Sequence, residues 1–526
     1  VLKTYTFPEY AYRQTLEQRS GQPQRRPLVI VGAGPVGLTA ALDCARRGIP
    51  VVVLDDNNSV SMGSRAVCYA KRSLEVLDRL GVGEPLAAQG MRWQVGKVFF
   101  GEQLAYQFDL LPQPQHKMPA MINLQQYHLE ERLVRACQLE ANIELRWKHK
   151  LVALAQGADG VTLQVQTPDG LFSMQADWLL ACDGAGSDIR AMLGLDFEGQ
   201  VFQDRFLIAD VVMQAEFPTE RWFWFDPPFH RGQSVLLHKQ CDKVWRIDFQ
   251  LGRDADPVEE KKPERVIPRI QQMLGAEVAF ELEWVSVYQF ACRRMKNFRH
   301  GRVIFVGDAA HQVSPFGARG ANSGMQDADN IGWKLQAVLQ GRAPEVLLDS
   351  YHAERAAAAD DNIGNSTRST DFISPKSRTS LRLRNAVLEL ARTEAFARPL
   401  VNSGRLSMPT PYRDSPLVTP DEDDFDGGVA PGCPCVDAPL QGLHQGRWML
   451  NALGQDFMLL SFGEPVVTEL PTLVLSADGL AAERYDARPG TCYLVRPDQY
   501  VAARWRRFDA DKVGAALQRS LGALQC

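Results

Sequence analysis

Short apolar runs alternate with amphipathic stretches through the first two hundred positions. Leu28-Val29-Ile30-Val31 is an unbroken apolar run closed by Gly32, which predicts a buried parallel strand. Pro35 to Arg47 predicts a helix, and Pro50 to Leu54 a second strand ending in Asp55. Ala70 to Leu80 predicts another helix, as does Gln125 to Glu140, whose Leu129, Leu133 and Ala136 share one face. Strands are predicted over Glu144–Ala153 and Val161–Gln166, and a short buried one over Asp177–Ala181. Between 200 and 290 the pattern becomes aromatic-rich with alternation, as in Phe206 to Val211, which predicts an antiparallel sheet forming a wall for a ligand. Residues 301–340 return to strand, loop and helix, and Ala356 to Leu400 is mainly helical in pattern. Met408 to Pro431 is rich in Pro and Asp and reads as a linker. Beyond it, strands are predicted at Phe457–Phe462, Thr472–Leu475 and Thr491–Val495, and a helix at Val513–Leu521. The order defines an α/β chain whose doubly wound core is interrupted and then resumed.

The glycines give this core a chemistry. Gly32-Ala33-Gly34-Pro35-Val36-Gly37 follows the first strand and opens a helix. Gly32 permits the tight turn, Gly34 the approach of a pyrophosphate, and Gly37 close helix–strand packing. The helix, with Pro35 in its first turn, points its positive end at the phosphates. Asp55 lies about 20 residues on, where an acid takes the ribose hydroxyls of an adenosine, so FAD or NAD fits better than NADP. Far downstream, Val303 to Val306 is a second buried strand ending in Gly307-Asp308, followed by the glycine-rich loop Pro315 to Gly324. Two such motifs, far apart in the chain, point to a bound flavin held at both ends. No second GxGxxG is present, and no CxxC follows the first, which argues against a disulfide reductase.

Composition narrows the setting. The 526 residues suggest two to four domains, and 45% hydrophobic with 23% charged residues is ordinary for a globular enzyme. A net charge of −5 gives no footprint for nucleic acid. No apolar segment reaches the ~18 residues of a membrane span. The polar stretch Val1–Arg26 lacks the apolar core of a signal peptide and reads as an arm on the surface or on a partner. The ten cysteines are scattered, several in apolar runs, which points to a reduced, cytoplasmic setting. Cys433-Pro434-Cys435 has no partner pair at zinc-site spacing, so two structural cysteines are favoured over a redox or metal site, and no metal is expected.

With Gly32/Gly34/Gly37, Asp183-Gly184 and Gly307-Asp308 in place, the chain resembles, over essentially its whole length, the single-component FAD-dependent aromatic hydroxylases of the para-hydroxybenzoate hydroxylase and phenol hydroxylase family. The tail Cys492 to Ala502 resembles a signature of the phenol hydroxylase branch, which carries a C-terminal thioredoxin-like domain; here that domain lacks a CxxC. The resemblance implies an N-terminal arm (1–26), an FAD-binding domain in two parts (27–200 and 291–407), an inserted substrate-binding sheet domain (201–290) and a thioredoxin-like domain (408–526). It places Arg65 or Arg72 near the flavin or pyrophosphate, Arg72 matching the family's arginine before Leu74-Glu75. It sets Gln126 by the FAD chain, Asp183 by both FAD and the nicotinamide nucleotide, and Asp308 at the ribityl hydroxyls. Gly320, Ala321 and Asn322 would face the pyrimidine edge of the flavin, with Pro315 beside the reacting face.

The chain departs from the family at two points. Its glycine loop reads Pro315-Phe316-Gly317-Ala318-Arg319-Gly320, putting a cation beside the flavin loop or into solvent. The catalytic aspartate of phenol hydroxylase aligns with Val67, so the base must come from elsewhere. The implied reaction is hydroxylation of a phenolic ring by a flavin hydroperoxide, with non-covalent FAD, O2 and NADH or NADPH. Candidates for the residue that deprotonates the phenol or stabilises the phenolate are Tyr288, His238, Arg246, Asp248 and His311. Trp222 to Phe225 reads as sheet core or pocket wall. Two other classes remain open: a flavoenzyme of this fold doing another oxygenation, such as epoxidation or halogenation, and a non-catalytic flavoprotein scaffold. A homodimer is a possible assembly.

Overall fold

A computed structural model describes residues 2–63, 65–214, 217–275, 277–401, 406, 408–441 and 446–523. Val1 and Cys526, named above with the arm and the cysteines, lie outside the described residues.

Two eight-stranded sheets carry the fold. The first is built on five parallel strands in the order Val303–Phe305, Gly170–Ala181, Arg25–Val31, Val51–Asp55, Ile143–Trp147. Helices Pro35–Arg46, Gln126–Leu139 and Gly320–Leu339 belong to the same core, and Leu28, Val29 and Ile30 are fully buried within it. Burial on both faces explains why these strands read as continuous apolar runs. The predicted strand Glu144–Ala153 is two strands, Ile143–Trp147 and Lys150–Gln156, because Lys148 adopts φ 60° and turns the chain between them.

The second sheet is the aromatic-rich one. Its order is His311–Gln312, Phe280–Met295, Phe197–Met213, Val244–Leu251, Ser234–Lys239, Arg221–Phe225, Val95–Phe100, Gln103–Asp109. It is antiparallel except where Arg221–Phe225 runs parallel to Val95–Phe100. The sheet therefore reaches beyond the 201–290 window and recruits a hairpin from the first part of the chain. Trp222 to Phe225 sits within it as sheet packing, with Trp222 against Phe217 and Phe225 buried.

The arm also differs from the sequence reading. It contains a short helix, Leu16–Ser20, and Arg25 and Arg26 already belong to the first strand. Thr4 donates to Glu283 of the second sheet, Tyr5 stacks on Tyr127, and Tyr10 stacks on Trp147. The arm thus ties the two sheets together.

The stretch 408–431 is not a loose linker, since Tyr412, Leu417, Val418 and Val429 are buried. It leads to a four-stranded sheet in the order Thr472–Leu475, Met458–Phe462, Cys492–Val495, Val501–Trp505, the first pair parallel and the others antiparallel. Arg496 and Asp498 lock this unit onto the flavin-motif core. Arg496 donates to Glu354 at 2.6 Å and to Asp498 at 3.0 Å, while Trp333 Nε1 donates to Asp498 at 3.1 Å. All four side chains are buried. Cys433 and Cys435 are free thiols, the second buried.

Candidate active site

Both glycine motifs and one face of the second sheet open onto a single cavity of about 710 Å³. Gly32, Gly34, Pro35 and Asp55 line it from the first motif, Asp183 from the end of the neighbouring strand, and Asp308, Gly320, Ala321 and Asn322 from the second motif.

Gly32 has φ +107°, and a Cβ there would meet the carbonyl of Cys182 at 2.3 Å. A Cβ on Gly37 would lie 1.9 Å from the carbonyl of Gly32, so its role is helix packing, and it does not line the cavity. A Cβ on Gly34 would meet nothing within 4 Å, because it would project into the cavity. Gly34 caps the helix with no side-chain hydrogen bond, leaving first-turn N–H groups open to a phosphate. Asp55 accepts from Ala33 N at 2.6 Å and from Asn57 N at 2.9 Å, so it shapes the loop while facing the cavity. Burial pushes its carboxyl up against the pull of those two amides.

Asp183 accepts from Ile189 N with Oδ2, while its Oδ1 is buried without a partner. Asp308 is open to the cavity but walled by protein elsewhere, and that wall raises its carboxyl pKa despite the opposing charges of His311 and Arg65. Arg65 lines the same cavity and is exposed. Gln126 accepts from Ala66 N at 3.0 Å and donates to Glu130 at 2.8 Å. Asn322 accepts from Ala70 N at 2.8 Å and fixes the first turn of the helix Gly320–Leu339, whose positive end faces the cavity. These residues fit FAD: open helix amides for its phosphates, carboxylates from both motifs, and a second helix terminus, all on one cavity.

Arg72 is a correction. It does not line the cavity but is buried in the seam with the C-terminal unit, donating to Asp329 at 3.0 Å, to Gln499 at 3.0 Å and to the Asp498 carbonyl at 2.6 Å. Its helix, Lys71–Arg79, turns this side chain toward counter-charges that burial demands. His311 is also outside the cavity. Its Nε2 lies 2.7 Å from Asp327, which also pairs with Arg355 at 2.5 Å, so it is held in the core. Arg319 lines the cavity yet is buried, donating to Asn362 at 2.9 Å.

The inner chamber lies against the second sheet. Ile208, Arg221, Leu236, His238, Arg246, Asp248, Tyr288 and Phe290 line it, with Val67, Pro315 and Phe316. Register explains the selection. Asp210 pairs with Arg246, Arg246 with His238, and the Trp222–Leu237 pair sets Arg221 opposite His238. One row of polar side chains therefore crosses the sheet on one face. Arg246 is held by Asp210 through two bonds of 2.8 Å. Burial, reinforced by Arg221 and Arg246, pushes the His238 imidazole pKa well down, so it is neutral. Burial pushes the Asp248 carboxyl up to about 6, Arg246 opposing. Sequence reasoning missed Arg221. Its signal was the cross-strand register, which needs the pairing of strands to be known.

A family described as FAD binding domain matches residues 25–366. Among similar proteins, the 12-dehydrotetracycline 5-monooxygenase/anhydrotetracycline 6-monooxygenase of Streptomyces rimosus is 30% identical over 502 residues, covering 91% of this chain and 95% of that protein. The para-nitrophenol 4-monooxygenase of a Pseudomonas species is 30% identical over 338 residues, covering 62% and 82%. Among solved structures, the flavin-dependent monooxygenase PieE in complex with FAD and substrate superposes with a TM-score of 0.80 at 23% identity, covering 95% of this chain and 99% of that one. The p-nitrophenol 4-monooxygenase PnpA of Pseudomonas putida gives 0.66 at 27% identity, covering 73% and 99%. The chain belongs to the FAD-binding family of flavin-dependent monooxygenases. It is an FAD enzyme, which sets aside the scaffold reading.

Proposed function

We propose that this monooxygenase holds FAD non-covalently and hydroxylates a phenolic ring in the inner chamber, with O2 and NADH or NADPH as co-substrates. One observation carries the reading: the cavity bordered by the FAD-motif residues is continuous with a chamber walled by Phe290, Phe316, Tyr288 and His238. The relatives' printed substrates, aromatic in the nitrophenol enzyme, point the same way.

Bound FAD would supply the redox chemistry that activates oxygen. The chain's own residues would do the rest. First-turn amides after Gly34 would hold the pyrophosphate, Asp55 the adenosine ribose, Arg65 and Gln126 the middle of the cofactor, Asp308 the ribityl chain, and the Gly320–Asn322 backbone the ring edge. Asp183, with an open Oδ1, would serve the cofactor and the visiting nucleotide. Phe290 and Phe316 would exclude water from the ring plane, and Pro315 would border the reacting face. Neutral His238 and ionised Asp248 would accept a phenol proton, and Tyr288, which lines the same cavity, would hold the oxygen that loses it.

In this reading residues 408–523 are a thioredoxin-like unit without redox chemistry, supported by the four-stranded mixed sheet and the missing CxxC. A cytoplasmic setting fits the nine free thiols among the described residues. No helix of the described residues is long and apolar enough to cross a membrane. A homodimer draws on Leu383, Phe396 and Leu400, apolar and exposed on the helices after Ser377. The test is a panel of phenols screened for stimulated NAD(P)H oxidation, with product masses. A gain of one oxygen in a ring is expected; halogenated or epoxidised products, or no stimulation by any phenol, would overturn the reading.

A further inference from the structure

The hairpin joining Ser234–Lys239 to Val244–Leu251 closes at Asp242 and Lys243, which adopt φ 58° and 60°. Val244 N donates to the Cys241 carbonyl across this turn at 3.1 Å. The turn meets the first turn of the helix Gln126–Leu139, and three side chains with metal-ligating atoms come together there. His128 Nε2 lies 3.1 Å from Asp242 Oδ2, and Cys241 Sγ lies 3.3 Å from the same oxygen. One ligand atom from each of the three lies within 4.8 Å of the others. In tetrahedral zinc, bonds of about 2.0–2.3 Å set neighbouring ligand atoms about 3.4–3.6 Å apart. The two measured edges are shorter by a few tenths of an ångström, so small side-chain rotations admit the ion.

The surroundings suit an anionic sulfur. The Cys241 thiol donates to Gln125 Oε1 at 2.8 Å. Gln125 is 1% exposed, and its Nε2 is buried without a partner. A buried amide donor with no acceptor is costly. Turned over, the same amide presents its N–H to the sulfur, and the thiolate is the form that accepts it well. A metal-bound cysteine is such a thiolate, its proton released to solvent on binding. Asp242 is exposed, which gives the ion a way in and leaves room for water as a fourth ligand. Thiolate, imidazole and carboxylate together favour zinc over magnesium or calcium, which take oxygen ligands.

We propose that His128, Cys241 and Asp242 bind one Zn2+ ion, and that the ion clamps the second sheet to the FAD-motif core. His128 stands two residues after Gln126, which lines the cofactor cavity, and Cys241 three residues after His238, which lines the inner chamber. The three ligands themselves do not line the cavity, so the ion holds the two walls together and takes no part in the reaction. Cys433 and Cys435 play no part in this site. The proposal is independent of which ring the enzyme hydroxylates.

The test strips the FAD-loaded protein of metal and titrates it with Zn2+ against a chromogenic chelator. Wild type is expected to take up one tight equivalent. Outer partners of a metal ligand already contribute about 10–100-fold, so Cys241→Ser and His128→Gln should each weaken uptake by about a hundredfold or more. Cys433→Ser, which removes a half-buried thiol elsewhere, should leave it unchanged. Co2+ in place of zinc should give intense visible bands at longer wavelengths than the flavin absorbs, the mark of tetrahedral coordination, and Cys241→Ser should lose them. Zn2+ should also raise the unfolding temperature of the wild type and not that of Cys241→Ser or His128→Gln. Absence of a tight equivalent in the wild type, or uptake unchanged in both Cys241→Ser and His128→Gln, would overturn the site; the second result would put the ion on other thiols. Zinc held at these residues with no rise in unfolding temperature would overturn the clamp. Should Cys241→Ser fail to fold, His128→Gln and the Co2+ spectrum of the wild type decide.

Discussion

The amide of Ala33 donates to Asp55 Oδ2 at 2.6 Å, linking the middle of the glycine turn to the end of the neighbouring strand. The carboxylate that faces the cavity is thus also the one that holds the glycine loop in shape.

Asp55→Ala should therefore weaken FAD binding by about tenfold or more, since each charged hydrogen bond contributes ~1.5–3 kcal/mol. Recovery of FAD fluorescence on dilution measures it. An unchanged dissociation constant in a folded variant would remove Asp55 from the cofactor site.

Asp308→Ala should act at the second motif, where the carboxylate opens onto the same cavity. A loss of about tenfold in FAD affinity is expected on the same grounds. Acid precipitation should release FAD, not FMN, from the wild type. Retention of full affinity in Asp308→Ala would contradict its placement.

Arg72 gives the opposite expectation. Its bonds to Asp329, Gln499 and the Asp498 carbonyl are buried in the seam. Arg72→Met leaves Asp329 with Arg79 as its remaining ion pair and Gln499 without this donor, at a cost of about 1–3 kcal/mol. Thermal and urea unfolding should show that loss, while FAD affinity of the folded protein stays within about twofold. A selective loss of FAD affinity without destabilisation would return Arg72 to the cofactor.

Asp248 makes pH a probe of the chamber. Burial raises its pKa from 3.8 to about 6. The folded state then holds that proton more tightly than the unfolded chain, so stability is full below about pH 3.8 and is lost as pH rises through about 6. At ~1.36 kcal/mol per unit the loss reaches about 3 kcal/mol at most. Asp248→Asn should stabilise the protein by up to that amount at neutral pH and hardly at all near pH 4, read by urea unfolding. If Asp248 accepts the phenol proton, kcat/KM in the wild type falls below about pH 6, and Asp248→Asn removes that limb. A stability difference that does not depend on pH would show that Asp248 is not perturbed.

What was legible in the sequence was local. Leu28 to Gly37 carries its strand, turn and helix start in ten consecutive residues, and the structure follows them. Asp55 and Asp308 were legible because each ends a buried strand. Arg72 was not, because its partners lie about 250 to 430 positions away and only the docked C-terminal unit brings them together. The hairpin Val95–Asp109 gave no sign that it extends a sheet formed by residues 197–295. Arg221 was hidden for a related reason: an arginine opening the aromatic run Trp222–Phe225 looks like a strand end until Leu237 is known to face Trp222. The strand Val501–Trp505 was not legible because it forms by pairing back on Cys492–Val495 across the turn at Gln499.

The most direct test is the source of oxygen in the product. The FAD-loaded enzyme is supplied with NAD(P)H, a phenol that stimulates its oxidation, and 18O2, and the product is weighed by mass spectrometry. The account expects one labelled oxygen in the aromatic ring and none when the label is in water. NAD(P)H consumption on such substrates with no label entering any aromatic product would contradict it.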